Sequence, residues 1–419
     1  MGNRENILHR STFGLRSTQA DLTLSLVGLQ AAAVGLLTAL AMLLNSSPGG
    51  IAVIVLLSRL AVTHPARVLA VWGAIYVPVT AVWTLPALDG PVEMAGAVIG
   101  YASCGAIFYG GAGFLCAWLL RSFPALVVGL SFGVAEAVSA ALGLVMAPVG
   151  LLAVNGSLGY LVAWFSVVGA SAIIGIVSAV AARRIWIGFP ITVLVSFVLC
   201  SLSVPSRPDY DGPPIHGIAH NPDPQLKWSS PEHAANSLSR LNELSDLAAG
   251  SGLIVWPEGA VTGTFDLDEA VSGLNPDHLP LLFGMTRYAN EGSSELRNSV
   301  VLVAADGVQV SDKQQLVPFY EGGVPFLYET DLVSGTRRVL ALPDGTKILP
   351  LICYEVFKPS LWFLEKTDAD VIVVLSAETG FVEGFGPSIM KRHVRTRELE
   401  TGVQVAWVSD RPSDFATSP

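Results

Sequence analysis

Cysteine is scarce in this 419-residue chain: there are four, and only Cys353 falls after Pro205. The other three, Cys104, Cys116 and Cys200, lie in long apolar stretches. No second cysteine is available to staple the polar half, which excludes an internal disulfide framework there. Lysine is absent before Lys227, and charge of either sign is rare in the first half. Between Leu22 and Pro205 the charged residues are Arg59, Arg67, Asp89, Glu93, Arg121, Glu136, Arg183 and Arg184. Apolar runs of that length match the roughly 20 residues a helix needs to cross a bilayer. A basic surplus is also missing. The chain carries a net charge of −10, with 29 acidic and 16 basic residues after Pro205. Phosphate backbones require a basic surface, so no direct nucleic-acid binding is expected. There is no glycine-rich phosphate loop, hence no nucleotide cofactor. His216, His220 and His233 lack ligand spacing and read as solvated side chains, so neither a metal nor any other cofactor is implied.

What is present divides near Pro205. Residues 1–21 form a short basic N-terminus, 22–204 an α-helical transmembrane bundle, and 205–419 a polar domain. Seven spans are predicted, at about 22–44, 49–63, 67–87, 94–120, 122–147, 157–182 and 185–204, the second being interrupted by Arg59. Arg4, Arg10 and Arg16 precede the first span. Arg59 with Arg67, Arg121, and Arg183 with Arg184 occupy alternate turns, and the intervening turns have no Lys or Arg. The positive-inside rule then predicts a cytoplasmic N-terminus, and seven crossings put the domain after Pro205 outside the cytoplasm. The basic N-terminus leads into a full-length span followed by others, which does not fit a cleaved signal peptide. Glu136 is the one mid-span carboxylate. It reads either as a helix-packing hydrogen bond or as part of a water-lined cavity.

In the polar domain short strands alternate with helices. A helix is predicted over 237–249. Strands are predicted over 253–256, 281–285, 298–305, 309–313, 347–353, 370–375 and 404–408, and a last helix over 387–400. This mixture indicates an α/β layered domain. Glu258, Lys313 and Cys353 fall at strand ends, where the backbone is fixed and the tip is open. A thiol is a weak nucleophile until a base removes its proton, and the tetrahedral intermediate of acyl transfer needs a cation or donor at its oxyanion. Glu, Lys and Cys would supply base, electrophile and nucleophile. Each also has an ordinary reading: a turn carboxylate, a strand-end charge, and a small residue closing a core strand.

The words around these residues are Trp256-Pro257-Glu258, Lys313-Gln314-Gln315-Leu316-Val317-Pro318-Phe319-Tyr320-Glu321 and Ile352-Cys353-Tyr354-Glu355. In that order they resemble the nitrilase, or carbon–nitrogen hydrolase, superfamily, and in particular its membrane-bound branch, the apolipoprotein N-acyltransferases. Leu226-Lys227-Trp228 and the bundle-then-domain layout resemble that branch too. In length and layout the chain is also similar to TraB proteins encoded with conjugal transfer genes. The resemblance implies an α-β-β-α sandwich exported at the bacterial inner (cytoplasmic) membrane. It makes Glu258 the general base, Lys313 the oxyanion stabiliser and Cys353 the nucleophile. It gives Glu321, Tyr354 and Glu355 supporting positions and Trp228 a substrate-side one. A membrane phospholipid would be the acyl donor and a lipoprotein N-terminus or another amine the acceptor. Three features depart from the family. Ser376-Ala377-Glu378 stands where Ser-Asn-Asp is usual, and Tyr320 where glycine is usual. The acyltransferases also continue past the strand 404–408 with more sheet and a final membrane helix. The activity implied is acyl transfer or carbon–nitrogen (amide) hydrolysis through a thioester on Cys353; the alternative is a component of conjugal transfer machinery with divergent or no catalysis.

Overall fold

The computed structural model describes residues 25–44, 46–82, 91–141, 148–154, 156–202, 208–223, 226, 230–317, 321–322, 330–358, 368–379 and 385–411. Two regions follow one another. The first is a helical bundle of α1 (Ser25–Leu43), α2 (Ser47–Ala61), α3 (Pro65–Ala81), α4 (Pro91–Leu119), α5 (Pro124–Ala141), α6 (Gly159–Ala182) and α7 (Ile185–Ser201). Three stretches, Ser25–Leu43, Met94–Leu119 and Gly159–Ala182, are long and apolar enough to cross a membrane, whereas the helices of α2, α3, α5 and α7 are shorter. The bundle is apolar outside as well as inside: Trp186, Ile107, Phe114 and Leu194 are largely exposed. A surface of that kind requires a non-aqueous surrounding. Helices α3 and α4 meet backbone to backbone. A Cβ on Gly105 would collide with the Gly73 carbonyl oxygen, so only glycine permits that approach.

The second region is a two-sheet sandwich. Strands β1 (Ile215–Gly217), β2 (Leu253–Val255), β3 (Leu281–Tyr288), β4 (Leu296–Ala304) and β5 (Gly307–Asp312) form one sheet in that order. Strands β6 (Leu340–Ala341), β7 (Lys347–Ile352), β8 (Val371–Ser376) and β9 (Gln404–Ser409) form the other. Side chains alternate faces along a strand, and the sequence uses both faces. Val371, Val373 and Leu375 of β8 meet Val255, Leu282 and Val300 between the sheets. Ile372 and Val374 instead pack on Ile389, Met390 and Val394 of α10 (Phe385–Thr401). On the far side, Ile254, Phe283 and Val301 pack against Leu241 of α8 (Pro231–Ser245) and Ala270 of α9 (Leu267–Ser272). The layers are therefore α-β-β-α. Each buried Val or Leu in these rows contributes roughly 1.5–3 kcal/mol.

Helix α8 begins six residues before the predicted start. Ser230 caps it, accepting from the His233 N–H at 3.2 Å, and Pro231 sits in the first turn. The apolar spacing that signals a helix begins only after these polar turns.

Helix α10 is also where the sandwich meets the bundle. Its core extends to Leu43, Ala81 and Tyr101. Helix α6 is broken at Ser166 (φ 59°, ψ 173°), and the N–H of Val167 donates to Glu400 Oε1 at 2.8 Å. Glu400 Oε2 pairs with buried Arg397 at 3.0 Å, and Arg397 donates to the carbonyl of Lys358, just past the turn that carries Cys353. Arg392 Nη1 rests on Met42 Sδ at 3.0 Å.

Candidate active site

The site is built where β2, β5, β7 and β8 end. Trp256 is fully buried and donates its indole N–H to Ser245 Oγ at 2.8 Å, which fixes the end of β2 against α8. The next turn lies flat on β3, because a Cβ at Gly284 would come within 2.7 Å of Glu258 Cα. That turn projects Glu258. Its Oε1 accepts from Asn298 Nδ2 at 2.7 Å and from Lys313 Nζ at 3.5 Å, and its Oε2 accepts from the Ala377 N–H at 3.1 Å.

Lys313 follows β5 directly and is almost fully buried. Its ammonium donates to Glu321 Oε1 at 2.7 Å, and Glu321 Oε2 accepts from the Val317 N–H at 2.8 Å. Burial alone would lower the lysine pKa. The carboxylates of Glu321 and Glu258 outweigh it and hold the ammonium above its usual range. Lys313 is therefore a permanent cation at neutral pH.

Cys353 opens a short 3-10 turn, Cys353–Phe357, immediately after β7. Its φ is +49°, a left-handed conformation that costs a non-glycine residue energy. The residue keeps some surface, yet desolvation pushes the thiol pKa well up. Glu258 raises it further and Lys313 pulls it back, with smaller upward contributions from Glu378 and Glu321.

Glu355 secures the turn. Its Oε2 accepts from the Ile352 N–H at 2.9 Å, and its Oε1 accepts from the N–H groups of Gln314 at 2.8 Å and Gln315 at 3.2 Å. It thereby fastens the Cys353 turn to the loop after Lys313. Tyr354 goes elsewhere. It is buried among Leu351, Val356 and Met390 on the α10 face, edge-on to Phe357 at 5.6 Å. Geometry thus gathers Glu258, Lys313, Glu321 and Cys353, makes Glu355 a staple, and leaves Tyr354 in a core. Trp228 and Tyr320 lie outside the described residues.

Two contributors carried no signal in sequence. Asn298 looks like the start of an apolar strand. Asp410 follows the last strand, yet it is buried and holds the 376–379 loop: Oδ1 accepts from the Glu378 N–H at 2.6 Å and the Thr379 N–H at 3.1 Å. The altered word Ser376-Ala377-Glu378 is therefore a fixed wall of the site. Among the described residues no cluster of His, Cys, Asp and Glu is arranged to hold a metal ion.

Residues 224–410 match the carbon–nitrogen hydrolase family. This half of the chain is a carbon–nitrogen hydrolase domain. An apolipoprotein N-acyltransferase of Azotobacter vinelandii is 30% identical over 207 residues, which is 45% of this chain and 40% of that protein. One from Rhizobium rhizogenes is 30% identical over 173 residues, covering 36% of this chain and 32% of its own length. The chain thus spans about a third to two-fifths of the curated relatives it matches. Among solved structures, an amidase from Nesterenkonia sp. covers 46% of this chain and 74% of its own, at 19% identity and a TM-score of 0.29.

Proposed function

We propose that this protein is a membrane-anchored acyltransferase working through a thioester on Cys353, with a membrane phospholipid as acyl donor and a primary amine, such as a lipoprotein N-terminus, as acceptor. The observation that carries the reading is one buried cation, Lys313, shared by two carboxylates at the mouth of the turn bearing a strained cysteine. In the first half-reaction Glu258 takes the thiol proton as Sγ attacks the ester carbonyl carbon. The ammonium of Lys313 neutralises the oxyanion. Collapse breaks the ester C–O bond, and the departing alkoxide takes the proton back from Glu258. In the second, the amine attacks the thioester, its proton passes to Glu258, and the C–S bond breaks to return the thiol. Glu321 holds the lysine in place. The raised thiol pKa fits a base that acts during attack rather than a stored thiolate.

The same proposal takes residues 22–204 as a membrane bundle of seven crossings, with the N-terminus cytoplasmic and the hydrolase domain, 205–419, on the outer face of the inner membrane. Seven apolar helices in register with the predicted spans support it, as does the packing of α10 on the bundle. A site adjoining that bundle favours a lipid-linked substrate over a small soluble amide.

The test is the intact mass of detergent-purified protein after incubation with phospholipid, beside Cys353→Ala. A fatty-acyl adduct that hydroxylamine removes, absent in the variant, is the expected result. No adduct on folded protein overturns the lipid donor and redirects the search, first to small amides and then to a non-catalytic part in conjugal transfer.

A further inference from the structure

Lys313 has a short bond to only one of its two carboxylates. Glu321 is its partner at 2.7 Å, and Glu258 stands off at 3.5 Å. The close donor to Glu258 Oε1 is instead a neutral amide, Asn298 Nδ2 at 2.7 Å, which also reaches Glu321 Oε1 at 3.5 Å, while the Ala377 N–H holds Oε2 at 3.1 Å. The backbone of the same residue accepts the Lys313 N–H at 2.8 Å. One residue at the start of β4 thus fixes both the lysine and the base. Carboxylates only accept, so the end of the amide that faces them must be the donating one. The other end, Oδ1, is buried and has no hydrogen-bond partner among the described residues. Leaving a buried carbonyl oxygen unsatisfied costs stability. A side chain that served packing alone would not retain that cost.

We infer that Asn298 is a positioning residue for the base: its amide holds the Glu258 carboxylate beside the Cys353 turn and keeps it from closing onto Lys313. The arrangement assigns the two carboxylates different tasks. Glu321 neutralises the lysine. Glu258, held by neutral donors rather than by a tight ion pair, is left to take the thiol proton. Without the amide, Glu258 would close onto Lys313 as a tight ion pair, and a carboxylate in such a pair is a poorer base.

The inference rests on the thioester reading, so its test uses a donor that does not depend on the lipid assignment. A p-nitrophenyl acyl ester reports acylation as a burst of p-nitrophenolate. In Asn298→Ala the burst rate should fall about 10- to 100-fold, the scale of a displaced catalytic group. Full alkylation of Cys353 by iodoacetamide should remain, showing a folded and accessible turn. In Asn298→Asp an acceptor-only carboxylate replaces the donor, and at neutral pH the loss should be at least as large. As pH falls, the new carboxylic acid can donate again. The ratio of Asn298→Asp to wild type should therefore recover, while the ratio for Asn298→Ala stays flat. A wild-type burst that Asn298→Ala leaves intact overturns the inference alone, as does a deficit in Asn298→Asp that low pH does not relieve. Absence of a burst in the wild type overturns the thioester reading and this inference together. A burst from the ester with no adduct from phospholipid overturns only the lipid donor.

Discussion

The bundle and the hydrolase domain each bury a carboxylate at the centre of a polar cluster, and the two clusters are closed in opposite ways. Glu136 on α5 is fully buried. It accepts from Tyr109 Oη at 3.2 Å, from the Val149 N–H at 2.7 Å and from the hydroxyl of Ser171. Ser171 in turn accepts from the Gly150 N–H at 2.6 Å. All of these donors are neutral. They belong to the bundle's own α4 and α6 and to the short 3-10 turn Val149–Ala153, whose five residues are all buried. Non-helical backbone inside an apolar bundle must have its N–H groups satisfied, and Glu136 and Ser171 do so. In the hydrolase domain, Glu258 and Glu321 share a cation, and the neighbouring cysteine holds a costly backbone conformation. The comparison separates a carboxylate that completes a fold from carboxylates assembled around a reacting atom. Charge that is concentrated rather than cancelled by neutral donors, with strain beside it, marks the second kind.

The sharpest test of that distinction removes the cation. Lys313→Met leaves the buried Glu321 and the part-buried Glu258 without their shared partner. Acylation of Cys353 should fall by about 10²- to 10³-fold, the scale of a lost oxyanion donor. Breaking a buried pair should also cost about 3–5 kcal/mol of stability, read in a denaturant titration. Near-wild-type acylation would show that the pair is scaffolding like Glu136, and the two regions would no longer differ in kind.

The bundle gives the complementary, smaller effect. Glu136→Ala exposes the N–H of Val149 to an unfilled site and should cost about 1–3 kcal/mol. Glu136→Gln keeps an acceptor oxygen and should be milder. In both, the acylation rate per folded molecule should stay at the wild-type value. Loss of acylation in folded Glu136→Gln would make the bundle carboxylate part of the chemistry and break the comparison from the other side.

How much of each region could be read in advance follows from the same physics. Cys353 is legible because it stands at the end of an apolar strand, which is visible as a change in composition; Lys313 ends the half-polar strand β5 and is legible only through the word that it opens, Lys313 to Glu321. The seven predicted strands lie within a few residues of β2 to β5 and β7 to β9, most clearly β7, β8 and β9, which are apolar on both faces and bounded by polar turns; the short β1 and β6 are not among them. Asn298 was not legible. Its importance depends on the β3–β4–β5 register, which pairs Ser299 with Asp312 and so brings the next residue on each strand together. Tyr354 takes a place that sequence adjacency does not announce, for a related reason. It is adjacent to the nucleophile in sequence, but the turn at Cys353 sends it to the opposite face of the sheet. In the bundle, composition located the helices, whereas the inward direction of Glu136 is fixed by a turn that no periodicity announces.

The last prediction concerns the thiol, and its two readouts should move in opposite directions. Burial and then Glu258 hold the Cys353 pKa well above that of an ordinary cysteine. The thiol therefore stays protonated at pH values where an exposed cysteine has begun to ionise. Only the thiolate is alkylated, so labelling of Cys353 by iodoacetamide, followed by peptide mass to separate it from Cys104, Cys116 and Cys200, should still be accelerating past pH 9. Glu258→Gln removes a negative charge while keeping an oxygen for Asn298. Thiolate then forms at lower pH, and alkylation at a fixed pH near 8 should rise by a few-fold. Acylation needs the base and should fall by about 10²- to 10⁴-fold. A structural glutamate would show both rates falling together as the turn loosened. Only a carboxylate that both repels the thiolate and accepts its proton gives a faster alkylation and a slower acylation in the same variant.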